Sequence, residues 1–292
     1  MNFQGVMTAM ITPFRDGVLD EKAFRSLIDW QIKSGVDGIV PCGTTGEAAT
    51  LTCEEHDRII RIAVEQAAGR VFVIAGAGSN STADAIRLAK QAKKAGADGQ
   101  LQITPYYNKP TQEGLYQHFK AIASVVDLPM VLYNVPGRTS VNMLPETVLR
   151  LTSIDTVAGI KEASGDIDQI KKIIADCPST FLVYSGDDAL NLEVYKAGGK
   201  GCVSVTSNVI PSRVSGAWDK FAAGNIDEAR EIHEELAQMN KAMFIETNPI
   251  PAKTALAMMG KCREEFRLPM TPMSEDHKDQ LREVLKRYKL LP

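Results

Sequence analysis

The sequence predicts an α/β protein, a closed (β/α)8 barrel (TIM barrel) with additional C-terminal helices, on three observations. Short apolar runs alternate regularly with longer amphipathic stretches, and eight such runs precede residue 211. Strands alternating with helices imply a parallel sheet, because right-handed β-α-β crossovers are the common way to connect them. The first run leads into Thr12-Pro13-Phe14, where a doubly wound sheet would carry a phosphate-binding glycine turn. The 292 residues suit either two ordinary domains or one barrel with an extension.

The predicted strands are 6–12, 38–42, 71–75, 99–104, 130–134, 157–161, 181–185 and 202–206. Between them, 21–33, 53–67, 82–94 and 112–125 read as helices with apolar residues at three- and four-residue spacing, as at Ile59, Ile62 and Ala63. Thr52 precedes Glu55 at capping-box spacing, and Ser81, Thr111 and Asp166 are further candidate N-caps. Gly35, Gly69 and Gly96 stand where left-handed C-caps belong. Two glycine-rich stretches do not complete a nucleotide motif. Residues 76–81 lack the third glycine of a dinucleotide fingerprint, and Gly43-Thr44-Thr45-Gly46-Glu47 lacks a Walker lysine. After Pro211 the pattern is wholly helical, over 212–223, 226–244, 251–259 and 274–288. The expected organisation is a barrel over 1–223 and a helical extension over 224–292 packed on it, a small separate domain being the alternative.

Composition narrows the function. Lys and Arg number 33 against 36 Asp and Glu, a net charge of −3 without long runs of one sign, which offers no footprint for nucleic acid or an anionic membrane. No stretch approaches the roughly 18 uninterrupted apolar residues of a membrane span, and the first five residues lack the charged and apolar pattern of a leader. A cytoplasmic protein is expected. Cys42, Cys53, Cys177, Cys202 and Cys262 are odd in number and scattered, with no C-x-x-C pair, and His233-Glu234 has no second histidine four residues on. A reduced compartment and no metal site follow.

In such a barrel the active site lies at the C-terminal ends of the strands, so the polar residues ending each run are the candidates. They are Thr44 and Thr45, Tyr106 and Tyr107, Tyr133, Lys161, Gly186, and residues 203–206 with Val203 among them. Lys161 closes the apolar run Val157-Ala158-Gly159-Ile160 in a strand that a barrel buries on both faces. Period-two alternation puts Val157, Gly159 and Lys161 on one face, with Gly159 leaving room for a long amine. Burial of a lysine favours its neutral, nucleophilic form, which condenses with ketones. The competing reading is a lysine snorkelling to solvent at a strand end. Tyr133, on the neighbouring strand and on the same face as Val131, is placed to shuttle protons, or is a half-buried aromatic bonded to a backbone carbonyl. Tyr107 and Thr44 extend a possible hydroxyl relay, although Tyr106 and Tyr107 equally suit an interface. The loop 43–47 would offer N–H groups and two hydroxyls to a carboxylate near the next helix start, or is an unliganded turn. Arg138 would clamp a second carboxylate, or make a surface ion pair.

These stretches, with Pro105-Tyr106-Tyr107-Asn108, Tyr133-Asn134-Val135-Pro136-Gly137-Arg138, Gly159-Ile160-Lys161, Ser185-Gly186-Asp187-Asp188 and Asn248-Pro249-Ile250-Pro251, give the chain a resemblance along nearly its whole length. It resembles the dihydrodipicolinate synthase family of the N-acetylneuraminate lyase superfamily. The resemblance implies condensation of pyruvate with L-aspartate 4-semialdehyde to 4-hydroxy-tetrahydrodipicolinate, the first committed step toward diaminopimelate and lysine, without a cofactor. It further implies that Lys161 forms an imine with pyruvate and that Tyr133 shuttles protons with Thr44 and Tyr107. Thr45, Gly186 and the backbone of Val203 would hold pyruvate, and Arg138 the semialdehyde carboxylate. The family's habit is a homotetramer of tight dimers, with the counterpart of Tyr107 reaching into the neighbouring subunit's site.

Lysine and tyrosine identify the superfamily, so a sialate lyase or sugar-acid aldolase is the enzymatic alternative, and a silent barrel the non-enzymatic one. Arg138 discriminates, because a short substrate with its own carboxylate wants a guanidinium there. Ala49, His56, Asn80 and Tyr106 match the lysine-binding pattern of feedback-inhibited members. Ala48, Cys53 and Asp84 depart from it, replacing a serine, a histidine and a glutamate, so inhibition by lysine is expected to be weak or absent.

Overall fold

The computed structural model describes residues 3–292; the leader reading at Met1 and Asn2 falls outside them. Eight parallel strands close a barrel: β1 Gly5–Ala9, β2 Gly38–Val40, β3 Phe72–Gly76, β4 Gly99–Ile103, β5 Met130–Asn134, β6 Val157–Glu162, β7 Leu182–Ser185 and β8 Gly201–Ser204. Each pairs with the next, and β8 closes on β1 with Val6 beside Cys202 and Met7 beside Val203. The helices that return the chain are α1 Glu21–Lys33, α2 Cys53–Ala67, α3 Thr82–Ala95, α4 Gln112–Val125, α5 Pro145–Leu151, α6 Ile167–Asp176, α7 Asn191–Ala197 and α8 Pro211–Ala222. Among the described residues, no helix is long and apolar enough to cross a membrane.

Alternation along the strands produces two apolar layers. Met7, Val40, Ile74, Val131, Tyr133 and Tyr184 fill the barrel interior, while Ile39, Val73, Leu132, Ile160 and Val183 face the helices. Helix starts follow the side chains the sequence offers. Thr52 and Glu55 form a reciprocal capping box on α2, Ser81 accepts from the Asp84 N–H, Thr111 from Gly114, and Asp166 from Asp168 and Gln169. Gly96 ends α3 in the left-handed conformation at φ +86°, and after α2 that conformation falls on Ala68 as well as Gly69.

Three local departures from the sequence reading have physical causes. The first strand stops at Ala9, and Phe14–Arg15 pairs with Val18–Leu19 in an antiparallel hairpin outside the barrel. Its turn is Asp16-Gly17 at φ +56° and +83°, the Asp-Gly pair that a tight hairpin favours. The second departure is a bulge in β6. Met130 pairs with Val157 but Val131 with Gly159, so Ala158 is extra, and Val157 faces the helices rather than sharing the inner face with Gly159 and Lys161. Gly159 itself answers to β7 and not to the amine, because a Cβ there would lie 2.2 Å from the Leu182 carbonyl oxygen.

The third departure lies in the C-terminal helices, α9 Ile226–Glu235, α10 Ala237–Ala242, α11 Ile250–Met258 and α12 Glu275–Arg287. The stretch expected as one helix over 226–244 breaks between α9 and α10. The Tyr288 hydroxyl enters the ladder there, donating to the Glu235 carbonyl and accepting the Met239 N–H at 3.3 Å. The helices α9 and α10 continue from α8, and α12 packs on α10 and α11.

His118, buried on α4 with Nδ1 2.9 Å from the Thr82 hydroxyl, supplies a pH test of the helical layer. Burial pushes its imidazole down to about 4 from an ordinary value of 6.5. The unfolded chain therefore binds the proton first as pH falls, and stability is lost between those two values, by about 3 kcal/mol in full. Urea unfolding compared at neutral pH and near pH 4 should show that loss in the parent chain, and His118→Gln should remove its share.

Candidate active site

The C-terminal mouth of the barrel opens into a cavity of about 180 Å3. Lys161 ends the inner face of β6, 5% exposed, directly beside Tyr133 in the β5–β6 register. Its Nζ stands 4.2 Å from the centroid of the Tyr133 ring. Both side chains line the cavity. The glycine that makes room for the amine is Gly186, where a Cβ would sit 3.0 Å from the Lys161 Cε and 2.7 Å from the Ala163 Cβ. The next register step, on the opposite face, pairs Asn134 with Glu162. The Asn134 amide donates to both Glu162 carboxylate oxygens at 3.1 and 3.0 Å, and the Ser164 N–H donates at 2.8 Å. Burial still pushes the Glu162 carboxyl above its usual range.

Thr44 and Thr45 reach the cavity from the loop after β2. The turn itself uses three of that loop's N–H groups, those of Gly46 and Ala48 going to the Gly43 carbonyl and that of Glu47 to Thr44, which leaves the amides of Thr44 and Thr45, the two residues at the cavity, as the ones that could meet a carboxylate. A 3-10 turn over Ala48–Thr50 then separates the loop from α2. Arg138 sits at the exposed rim on the one-turn helix Pro136–Thr139, with Nη2 donating to the Asn248 carbonyl at 3.0 Å.

Two expected site residues are not at the cavity of this chain. Tyr107 is 90% exposed, in the left-handed conformation at φ +72°, and lines no part of it. Val203 packs in the barrel interior with Tyr133 and Tyr184, and Val205 is the β8-side residue that faces the cavity. Among the lining residues that were given no role, Phe244 and Asn248 come from the C-terminal extension. Asn248 Nδ2 donates to Thr45 Oγ1 at 2.9 Å, while its Oδ1 is buried without a partner. Asn248 stands in the non-helical stretch before α11 and opens the Asn248-Pro249-Ile250-Pro251 stretch that shares in the family resemblance, and these were the hints the sequence carried. Asp187 also lines the cavity, its carboxyl pushed up by burial.

The residues compared with a lysine-binding pattern lie around α2 and α3. His56 is buried, with Nε2 2.9 Å from the Gly76 carbonyl oxygen, and burial lowers its imidazole. The Asn80 carbonyl accepts from the Asn108 side chain at 2.9 Å, while Ala49 and Tyr106 are exposed. Cys53 and Asp84 are exposed and Ala48 is half-buried.

A (β/α)8 barrel that buries an amine beside a phenol at its C-terminal mouth, ringed by hydroxyls and one guanidinium, defines the imine-forming class of barrel enzymes. Within that class the chain belongs to the Dihydrodipicolinate synthetase family, whose profile matches residues 2–288. A relative from Thermodesulfovibrio yellowstonii named 4-hydroxy-tetrahydrodipicolinate synthase is 56% identical over 284 residues, covering 97% of this chain and 98% of its own length. The chloride inhibited dihydrodipicolinate synthase from Acinetobacter baumannii, crystallised with pyruvate, is 44% identical with a TM-score of 0.97, covering 99% of this chain and all of its own. An enzyme of the family from Cyanidioschyzon merolae, crystallised with lysine bound, is 43% identical with a TM-score of 0.96 over 99% of each chain.

The contact between Gly186 and the amine gives a direct test. In Gly186→Ala the added Cβ meets the Ala163 Cβ and the Glu162 carbonyl oxygen as well as the Lys161 Cε, so the ends of β6 and β7 must give slightly, and the folded variant should have Nζ displaced and reductive trapping of a bound keto acid slowed by about tenfold. Unchanged trapping in the alanine variant would show that the amine does not use this space.

Proposed function

We propose that the chain is a lyase that condenses pyruvate with L-aspartate 4-semialdehyde to 4-hydroxy-tetrahydrodipicolinate on the route to diaminopimelate and lysine. The observation that carries this reading is the Lys161–Tyr133 pair inside the cavity, in a chain 56% identical to a protein named for that activity.

The steps follow from the placement. The Lys161 amine adds to the keto carbon of pyruvate, and loss of water leaves a protonated imine. Tyr133, beside the amine, supplies and recovers the protons of that step. The imine withdraws electrons, so the pyruvate methyl carbon loses a proton and becomes an enamine nucleophile. It attacks the aldehyde carbon of the semialdehyde, and the resulting alkoxide takes a proton from the relay. The amine of the second substrate then adds to the imine carbon, which closes the ring and releases Lys161. Thr45 and Gly186 border the pyruvate end, and Arg138 receives the semialdehyde carboxylate.

Thr44 continues the relay toward solvent, and Tyr107 completes it in a second copy of the chain. The 90% exposure of Tyr107 in this chain supports such a role, since a phenol standing away from its own cavity is free to enter another. The assembly is then a homotetramer of tight dimers. A reducing cytoplasm suits the five free cysteines. Feedback by lysine is weak or absent, because Ala48 and Cys53 remove polar contacts and Asp84 shortens a carboxylate.

Borohydride reduction in the presence of pyruvate, followed by peptide mass analysis, should place the adduct on Lys161; an adduct elsewhere, or none, rejects the mechanism. In coupled assays the semialdehyde should be turned over and N-acetylmannosamine should not. Arg138→Ala should raise the semialdehyde KM and lower kcat/KM by about 100-fold while pyruvate trapping persists.

A further inference from the structure

Behind the cavity wall lies an ion pair that the condensation chemistry does not use. Glu47 and Lys253 are paired with their side chains 2% and 0% exposed, and neither lines the cavity. Lys253 Nζ also donates to the Glu265 carbonyl at 2.9 Å and stands over the rings of Phe14 and Phe266 at 4.4 and 5.0 Å. The second Glu47 oxygen accepts the Arg267 N–H at 3.1 Å. Glu47 holds φ +54°, a left-handed conformation that a residue with a Cβ keeps only where its surroundings impose it. A buried ion pair adds little net stability, because desolvation of both charges offsets their attraction; fixing one geometry among several is its better-attested use.

The geometry fixed here is that of the site's far wall. Glu47 follows Thr45 by two residues, and Lys253 lies one turn or so beyond Asn248, so the pair repeats on the outside the Asn248–Thr45 hydrogen bond made inside the cavity. Asn248 in turn receives Arg138 on its carbonyl. Of the two elements joined, the loop is already clamped. The Thr12 hydroxyl donates to the Gly46 carbonyl at 2.7 Å, and a Cβ on Gly46 would lie 3.2 Å from both the Met10 carbonyl oxygen and the Cys42 nitrogen. α11 is approached through non-helical chain over 243–249, and the pair anchors it.

We propose that Glu47 and Lys253 are positioning residues: the pair sets α11 against the barrel so that Asn248 and Arg138 are held for the second substrate, leaving imine formation to Lys161 and Tyr133. This rests on the reaction proposed above. The two strands that carry Lys161 and Tyr133 are tied by their own register, so they do not depend on α11.

The test is the full-length double variant Glu47→Gln with Lys253→Met, which removes both charges together and keeps a carbonyl for the Arg267 N–H. Pyruvate KM and borohydride trapping at Lys161 should stay within about twofold of the parent, while kcat/KM for the semialdehyde falls about tenfold. A folded double variant with unchanged semialdehyde kcat/KM, or with equal losses for both substrates, overturns the proposal. Glu47→Asp carries the same test should the double variant fail to fold, since it retains both charges and tolerates the left-handed backbone but shortens the link. Absence of a pyruvate adduct in the parent chain would instead strike the reaction itself, so the two failures are distinguishable.

Discussion

The register between β5 and β6 is the constraint on which the site depends. A slip of one residue would turn Lys161 toward the helices and bring Glu162 inside the barrel. That register is pinned from both faces. Inside, Tyr133 stands beside Lys161; outside, Asn134 grips both oxygens of Glu162 one step further along. The Ala158 bulge absorbs the extra residue below, so that β6 meets β5 at Met130 and again at Val131 with the correct face inward. Burial makes the Glu162 carboxylate costly, and hydrogen bonds from Asn134, Ser164 and Gln169 offset that cost in this one arrangement. The network adjoining the amine is therefore part of what fixes its position.

Much of this was legible in the chain itself. Eight apolar runs separated by capped helices specify a parallel barrel, because period two and period 3.6 alternate and each cap sits where the period changes. Lys161 stood out because a charged residue closes an otherwise apolar run. What the pattern hid was whatever depends on one residue's displacement. A bulge at a small alanine leaves the hydrophobic sequence of β6 unaltered while moving Val157 to the other face. For the same reason Gly159 looked like space for the amine, when the strand approach of Leu182 requires it and Gly186 supplies the space. The break between α9 and α10 was hidden differently, since it comes from Tyr288, more than fifty residues downstream by the contact's own separation of 53.

Distance along the chain also explains why the C-terminal side of the cavity was missed. Thr45 and Asn248 meet although 203 residues separate them, and Arg138 meets Asn248 across 110. No periodicity reports such contacts, and a helical tail reads simply as something packed on the outside. Phe244 and Asn248 instead bring that tail into the mouth of the barrel.

The two halves of the cavity are consequently built on different physics. Amine and phenol project from adjacent strands of a closed sheet, where a side chain's direction is set by register. The hydroxyls, the guanidinium and the asparagine come from loops and from the entry to α11, where direction is set by a few side-chain hydrogen bonds and by one ion pair in the wall. Strand geometry resists change because altering it breaks the barrel, whereas a loop or helix entry can be re-aimed at the level of single residues. In the reaction proposed above, the imine chemistry sits on the first and the choice of aldehyde on the second: Lys161 and Tyr133 stand on the strands and Arg138 on a one-turn helix at the rim.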